Sequence, residues 1–241
     1  MRPHCLRRTG HLVLTTDLLR IAETDFVKTF IIVVQLGAIL AAAALYWRRL
    51  VLDPRTLAIT SVAFIPTGII GFALYKIVKG FLGNPAIVVW SLLVGGILLL
   101  VIEWWLRGRK PTIHEVHDIS YPQAVVIGTC QALSMIPGVS RSAATIMTGL
   151  VLGVDRRAIV EFSFILAIPT MVVASAYEIY KSRGQVTLAQ FDLLALGFVV
   201  AFVLAILAIR FLLRFVQTHT FNAFGVYRIL AAIAFWLIVL R

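Results

Sequence analysis

The chain has 241 residues, of which 61% are hydrophobic and only 14% charged, with a mean hydropathy of +0.97. A water-facing domain normally carries about 25% charged residues, so a soluble globule of this size is excluded and lipid is the expected solvent. The net charge of +11 excludes little by itself. Its basic residues cluster between apolar runs, as in Arg48-Arg49, Arg107/Arg109/Lys110 and Arg156-Arg157. That pattern fits lipid head groups, and no basic stripe with interleaved aromatics points to nucleic acid.

Residues 1–8, MRPHCLRR, hold three arginines and no apolar run, so they do not form a signal peptide. Thr9-Gly10-His11 is a polar turn leading into an apolar stretch. Spans are predicted at 27–46, 57–79 and 86–106, each about the 20 apolar residues that a bilayer requires. Tyr46-Trp47 and Trp104-Trp105 are their interface anchors. Residues 121–153 are apolar but interrupted at Pro137-Gly138, which leaves two halves too short to cross. A re-entrant hairpin is therefore predicted, because irregular backbone at membrane depth must be buried in protein or line a polar cavity. Three further spans follow at 158–180, 190–214 and 221–240.

The predicted fold is all-α and polytopic, with about six transmembrane helices plus the hairpin in one membrane domain over 1–241. The order of polar turn, apolar helix and polar-marked span occurs twice. It runs from Thr9 to the span with Gln35-Leu36-Gly37, and again from Pro137 to the span with Glu161-Phe162-Ser163. An inverted repeat follows as an expectation, with 9–106 as the remnant of the first copy and 107–241 as the second. Cys5 and Cys130 define no disulfide framework.

The sequence Pro137-Gly138-Val139-Ser140-Arg141-Ser142 holds the strongest chemical signal. Proline ends the preceding half-helix and glycine permits a tight turn. A helix beginning near Ser140 would present its free N–H groups and positive dipole end to an anion. Arg141 adds a planar fork suited to two phosphate oxygens, and Ser140, Ser142 and Thr145 add hydroxyls. An intramembrane arginine is costly and marks function by default. His11 is placed to transfer a proton or attack phosphorus. Gln131, Glu161 and Arg228 lie inside apolar stretches, where they need partners, and are predicted to support the site. Glu103, Glu178, Arg210 and Arg214 near span ends are expected to snorkel. His114 and His117, three apart beside Glu115 and Asp118, read as a solvated loop, and no metal ligand set is predicted.

The run Gln131-Ala-Leu-Ser-Met-Ile-Pro-Gly-Val-Ser-Arg-Ser-Ala-Ala-Thr-Ile146 resembles the second signature of the undecaprenyl-diphosphate phosphatase, or bacitracin-resistance, family. Gln35-Leu36-Gly37, Glu161-Phe162-Ser163-Phe164 and Tyr227-Arg228 also resemble family positions, over residues 9–241. The family's first signature has a helix with two glutamates and a Pro-x-Ser-Ser-(Ser/Thr)-Gly-His turn. Here Thr9-Gly10-His11-Leu12 matches its end, while Arg7 and Arg8 stand at the serine positions. The change at Thr9 is read as a truncation or frame disruption upstream of it.

The resemblance implies hydrolysis of undecaprenyl diphosphate to the monophosphate in the bacterial inner membrane. Such hydrolysis recycles the lipid carrier for cell-wall synthesis and confers bacitracin resistance. It implies that His11 and Arg141 are catalytic, and that Thr9, Gly10, Gly138, Ser140, Ser142 and Thr145 bind the substrate. It also implies a divalent cation, Mg²⁺ or Ca²⁺, whose expected carboxylates this chain lacks, and a homodimer as one possible assembly. Two other readings stay open: a chain that binds the lipid diphosphate without turnover, and a lipid-carrier transporter or flippase.

Overall fold

The computed structural model describes residues 24–81, 85–181 and 191–239, and every regular element among them is helical apart from one isolated bridge. Helix α1 spans Asp25–Leu52, α2 Pro54–Phe81 and α3 Pro85–Trp105. Next come α4 (Tyr121–Gln131), α5 (Arg141–Val151), α6 (Arg156–Lys181), α7 (Phe191–Thr218) and α8 (Asn222–Val239).

Five helices are long and apolar enough to cross a membrane: α1, α2, α3, α6 and α7. These are the first five predicted spans. The sixth, predicted at 221–240, is α8, whose apolar part covers Asn222–Leu237 among the described residues. The chain is a multi-pass membrane protein.

Local chemistry sets the boundaries. Thr24 caps α1, its hydroxyl accepting from Val27 N at 3.3 Å. Asp53 ends α1 and starts α2: its carboxylate accepts from Arg55 N, Thr56 N and Thr56 Oγ1 at 3.0, 3.2 and 2.6 Å. Pro54 follows at the first helical position, where its missing N–H costs nothing.

The predicted hairpin is present. Helices α4 and α5 have 11 residues each, so each is about 16 Å long, roughly half the hydrocarbon thickness. A 3₁₀ turn over Ala132–Met135 and the Pro137-Gly138 bend join them. Ser120 and Gln123 form a capping box at the start of α4.

The main core gathers Ala42 and Tyr46 of α1, Ile59 and Ala63 of α2, Ile127 of α4, Ile146 of α5, and Phe162 and Ile165 of α6. Helix α6 is the most enclosed span, whereas α7 turns Leu196, Val199, Val203, Leu204 and Leu207 outward. Those apolar side chains suit lipid contact. Helices α3 and α8 form a second, smaller packing unit around Val89, Leu92, Ala232 and Phe235. Their backbones meet where a Cβ on Gly96 would lie 2.9 Å from the Gly225 carbonyl. Small residues at such crossings are how membrane helices approach closely without a hydrophobic drive.

One end of the bundle is tied together by polar contacts. Residues 112–113 and 153–155 share backbone hydrogen bonds and the Ile113–Val154 bridge. Arg49 pairs with Glu161 at 2.9 Å and with Glu115 at 3.6 Å. Glu103 was expected to snorkel; instead it is buried. It takes Arg156 through two contacts, at 3.3 and 2.7 Å, and accepts from Phe221 N at 2.9 Å. Two partners distant in sequence hold it inside. Arg210 and Arg214 are exposed, as expected.

Candidate functional site

The bend between α4 and α5 is built around a glycine that no other residue replaces well. Gly138 has a φ of +90°, and a Cβ there would meet the Val88 carbonyl oxygen of α3 at 2.7 Å. Pro137 beside it is buried. Two residues on, Ser140 caps α5, its Oγ accepting from Ala143 N at 3.3 Å and lying 3.0 Å from Ser142 Oγ. The pair of hydroxyls thus stands at the start of α5, at the positive end of the helix.

Arg141 stands at the first turn of α5. Its Nη1 donates to Thr170 Oγ1 at 2.7 Å and to the Ala167 carbonyl at 3.3 Å, both on α6. No carboxylate among the described residues pairs with it. Its Nη2 and Nε have no hydrogen-bond partner among the described residues. Thr170 was missed in the sequence. Its only signal was a hydroxyl one position after Pro169 in an apolar span.

The predicted polar residues divide into three groups. Gly138, Ser140, Arg141 and Ser142 come together at the bend. Thr145, expected to touch substrate, is fully buried and turned the other way. Its hydroxyl lies 3.1 Å from both Gln131 Oε1 and the Arg141 carbonyl. Gln131 continues to Thr67 Oγ1 at 3.4 Å, and Thr67 to the Gly128 carbonyl at 2.6 Å. This chain ties α2, α4 and α5 together behind the bend. Arg228 reaches the bend from α8 and donates to the Gly138 carbonyl at 3.2 Å.

Glu161, expected to support the same site, is placed away from the bend. It lies nine positions from Thr170 along α6, about 14 Å at 1.5 Å per residue, and pairs with Arg49 instead. The pairing expected of both Glu161 and Arg228 is present. Thr9, Gly10 and His11 lie outside the described residues.

The bend is suited to an anion: a fixed cation with two nitrogens unpartnered among the described residues, two hydroxyls and helix N–H groups. A divalent cation does not fit the described residues here, since the bend offers positive charge and no carboxylate. Among the described residues, no group of three His, Cys, Asp or Glu could hold a metal ion.

The comparisons with known proteins follow this geometry. The sequence pattern of the family described as bacitracin resistance protein BacA matches residues 8–234. This chain belongs to that family. It is 47% identical to the undecaprenyl-diphosphatase of Sulfurihydrogenibium sp. (strain YO3AOP1), covering 95% of this chain and 90% of that one. It is 46% identical to the undecaprenyl-diphosphatase of Wolinella succinogenes, covering 94% and 88%. Identity to the undecaprenyl-diphosphatase of Aquifex aeolicus is 43%, covering 94% and 89%. The bend thus belongs to a family whose named relatives act on a lipid diphosphate.

Proposed function

We propose that this chain hydrolyses undecaprenyl diphosphate to undecaprenyl phosphate and inorganic phosphate, recycling the lipid carrier for envelope polymers. The observation that carries this reading is Arg141 at the start of α5, whose Nη2 and Nε have no partner among the described residues. Among the described residues this guanidinium is held by a hydroxyl and a carbonyl but by no carboxylate, so none of them gives it an anion. A diphosphate supplies one.

In the proposed reaction, Arg141 takes two oxygens of the terminal phosphate, and Ser140, Ser142 and the α5 N–H groups orient it. Phosphoryl transfer depends on such positioning and on stabilising charge over the equatorial oxygens. Water adds to the terminal phosphorus, the bridging P–O bond breaks, and the lipid monophosphate leaves. His11 is the proposed acid/base or nucleophile, and Thr9 and Gly10 are proposed to bind the substrate. Thr145, Gln131 and Arg228 support the bend from behind. A divalent cation would neutralise charge on the diphosphate when bound, but the bend's own residues would hold the anion rather than the metal.

The remaining parts of the reading are also proposals. The bundle end carrying Arg48, Arg55, Arg107, Arg109, Lys110 and Arg157, all exposed, faces the cytoplasm of a bacterial inner membrane. The bend opens toward the opposite face. The two halves form an inverted repeat, supported by the contacts that α1 makes with α6 and α3 with α8, corresponding helices in each half. Two copies associate as a homodimer.

The test is phosphate release from undecaprenyl diphosphate by the purified chain with Mg²⁺, compared with Arg141→Ala and His11→Ala. Turnover lost in both variants supports the reading. Turnover unchanged by both overturns it. Binding of the lipid diphosphate without turnover in the unaltered chain would leave a binding protein in its place.

A further inference from the structure

Arg228 belongs to α8 and lies far from the bend in sequence, yet its guanidinium sits against the bend's backbone. The residue is 8% exposed. Its Nη2 donates to the Ser91 carbonyl of α3 at 3.3 Å and to the Gly138 carbonyl at 3.2 Å. Its Nε is buried without a hydrogen bond. Gly95 creates the room for it: a Cβ there would lie 2.5 Å from Nη2 and 3.1 Å from Cζ.

The peptide unit between Gly138 and Val139 is consequently held at both ends. Its carbonyl receives Arg228, and its N–H, on Val139, donates to the Ile136 carbonyl at 3.1 Å. A peptide unit is rigid and planar, so fixing its two ends fixes its plane. Ser140, the cap of α5, and Arg141 follow directly. A buried arginine with a donor left over is a costly way to join two helices. Small residues already bring α3 and α8 together without it.

We propose that Arg228, admitted by Gly95, is a positioning residue for the phosphate-binding bend: it fixes the Gly138–Val139 peptide plane and thereby the start of α5. This rests on the assignment of the bend as the diphosphate site. Without Arg228 the plane is free to turn, and Ser140 and Arg141 lose their common register. Gly95→Ala should act on the same step, because the added methyl displaces the guanidinium while leaving its charge in the chain.

The experiment is a double-mutant cycle in the full-length protein. It measures kcat/KM on undecaprenyl diphosphate for Gly95→Ala, Arg228→Ala and both together, with Arg141→Ala as control. Hydrogen exchange is read at the Val139 amide in each. Each single substitution should lower kcat/KM by about 10²-fold, as expected for reacting groups misplaced by about an ångström. The double variant should be no worse than the more damaged single, and the Val139 amide should exchange faster in all three.

Costs that multiply in the double variant, or an unchanged Val139 amide, overturn the proposal. Wild-type kcat/KM in both single variants, with Arg141→Ala inactive, overturns it while leaving the diphosphate site intact. Full turnover in Arg141→Ala removes the site assignment and the proposal with it. Should Arg228→Ala or Gly95→Ala fail to fold, Arg228→Lys replaces them. It keeps a buried cation but loses the planar fork. A loss of tenfold or more with faster Val139 exchange supports the proposal, and full activity overturns it.

Discussion

Two arginines at the starts of helices meet opposite fates in this molecule. Arg156 begins α6 and lies in a two-point pair with Glu103, whose carboxylate also accepts from Phe221 N. Every charge there has its complement, and the three segments it joins are locked. Arg141 begins α5 with Thr170 Oγ1 and the Ala167 carbonyl as its side-chain partners among the described residues, and its Nη2 and Nε have none there. The difference lies in the carboxylate, which Arg156 has and which Arg141 lacks among the described residues. A cation satisfied inside the fold cannot also take a substrate anion, and one left partly satisfied can.

The sharpest way to break this comparison is to remove each arginine's function separately. Arg141→Ala should lower kcat by about 10²–10³-fold, the cost of deleting one donor aimed at developing charge. Its unfolding midpoint in detergent should barely move, because no carboxylate among the described residues pairs with it. Equal losses in activity and stability would make Arg141 a strut like Arg156. Glu103→Ala should do the reverse. It leaves Arg156 and the Phe221 N–H unpaired, at a cost of about 3 kcal/mol, the lower end for a broken buried pair because Arg156 is about one-third exposed. A thermal unfolding curve should show that loss, with kcat per folded molecule near the unaltered value.

A smaller effect tests the support behind the bend. Thr145→Val and Gln131→Leu each leave a buried polar partner unmatched, at about 1–3 kcal/mol. Together they should cost less than the sum, since the second change removes the group the first had orphaned. Additive costs would mean that the 3.1 Å contact between them carries no energy.

How much of this was legible in the sequence follows from how far each partner lies. The hairpin was readable because Pro137-Gly138 breaks an apolar run locally and Ser140 is a capping residue in the right place. The place of Thr145 was not legible for a physical reason. Four positions after Arg141, it shares that residue's helix face, and no local pattern tells whether the face meets a cavity or Gln131. Glu103 sits near a span end, where snorkelling is the ordinary outcome. Its partners lie 53 and 118 positions away, beyond any periodicity. Gly95 looks like one more small residue in an apolar helix, and only the packed structure shows an arginine passing over it.

The smallest effect concerns a charge at the bundle's other end. Asp53 caps α2 through Thr56 and Arg55, and its side-chain hydrogen bond from Thr56 holds the carboxyl below its ordinary pKa. A carboxylate with a lowered folded-state pKa contributes stability that is present above its unfolded value of about 3.9. That contribution disappears as pH falls below this value toward the folded-state pKa. Asp53→Ala should therefore cost about 1 kcal/mol at neutral pH, as for other caps, and nearly nothing once the carboxyl is protonated in both states. Because Asp53 lies with the paired charges around Arg49 and Glu115 rather than at the Arg141 bend, turnover at neutral pH should not change. A loss of kcat in Asp53→Ala would mean that the two ends of the bundle are coupled, and that the paired arginines are more than struts.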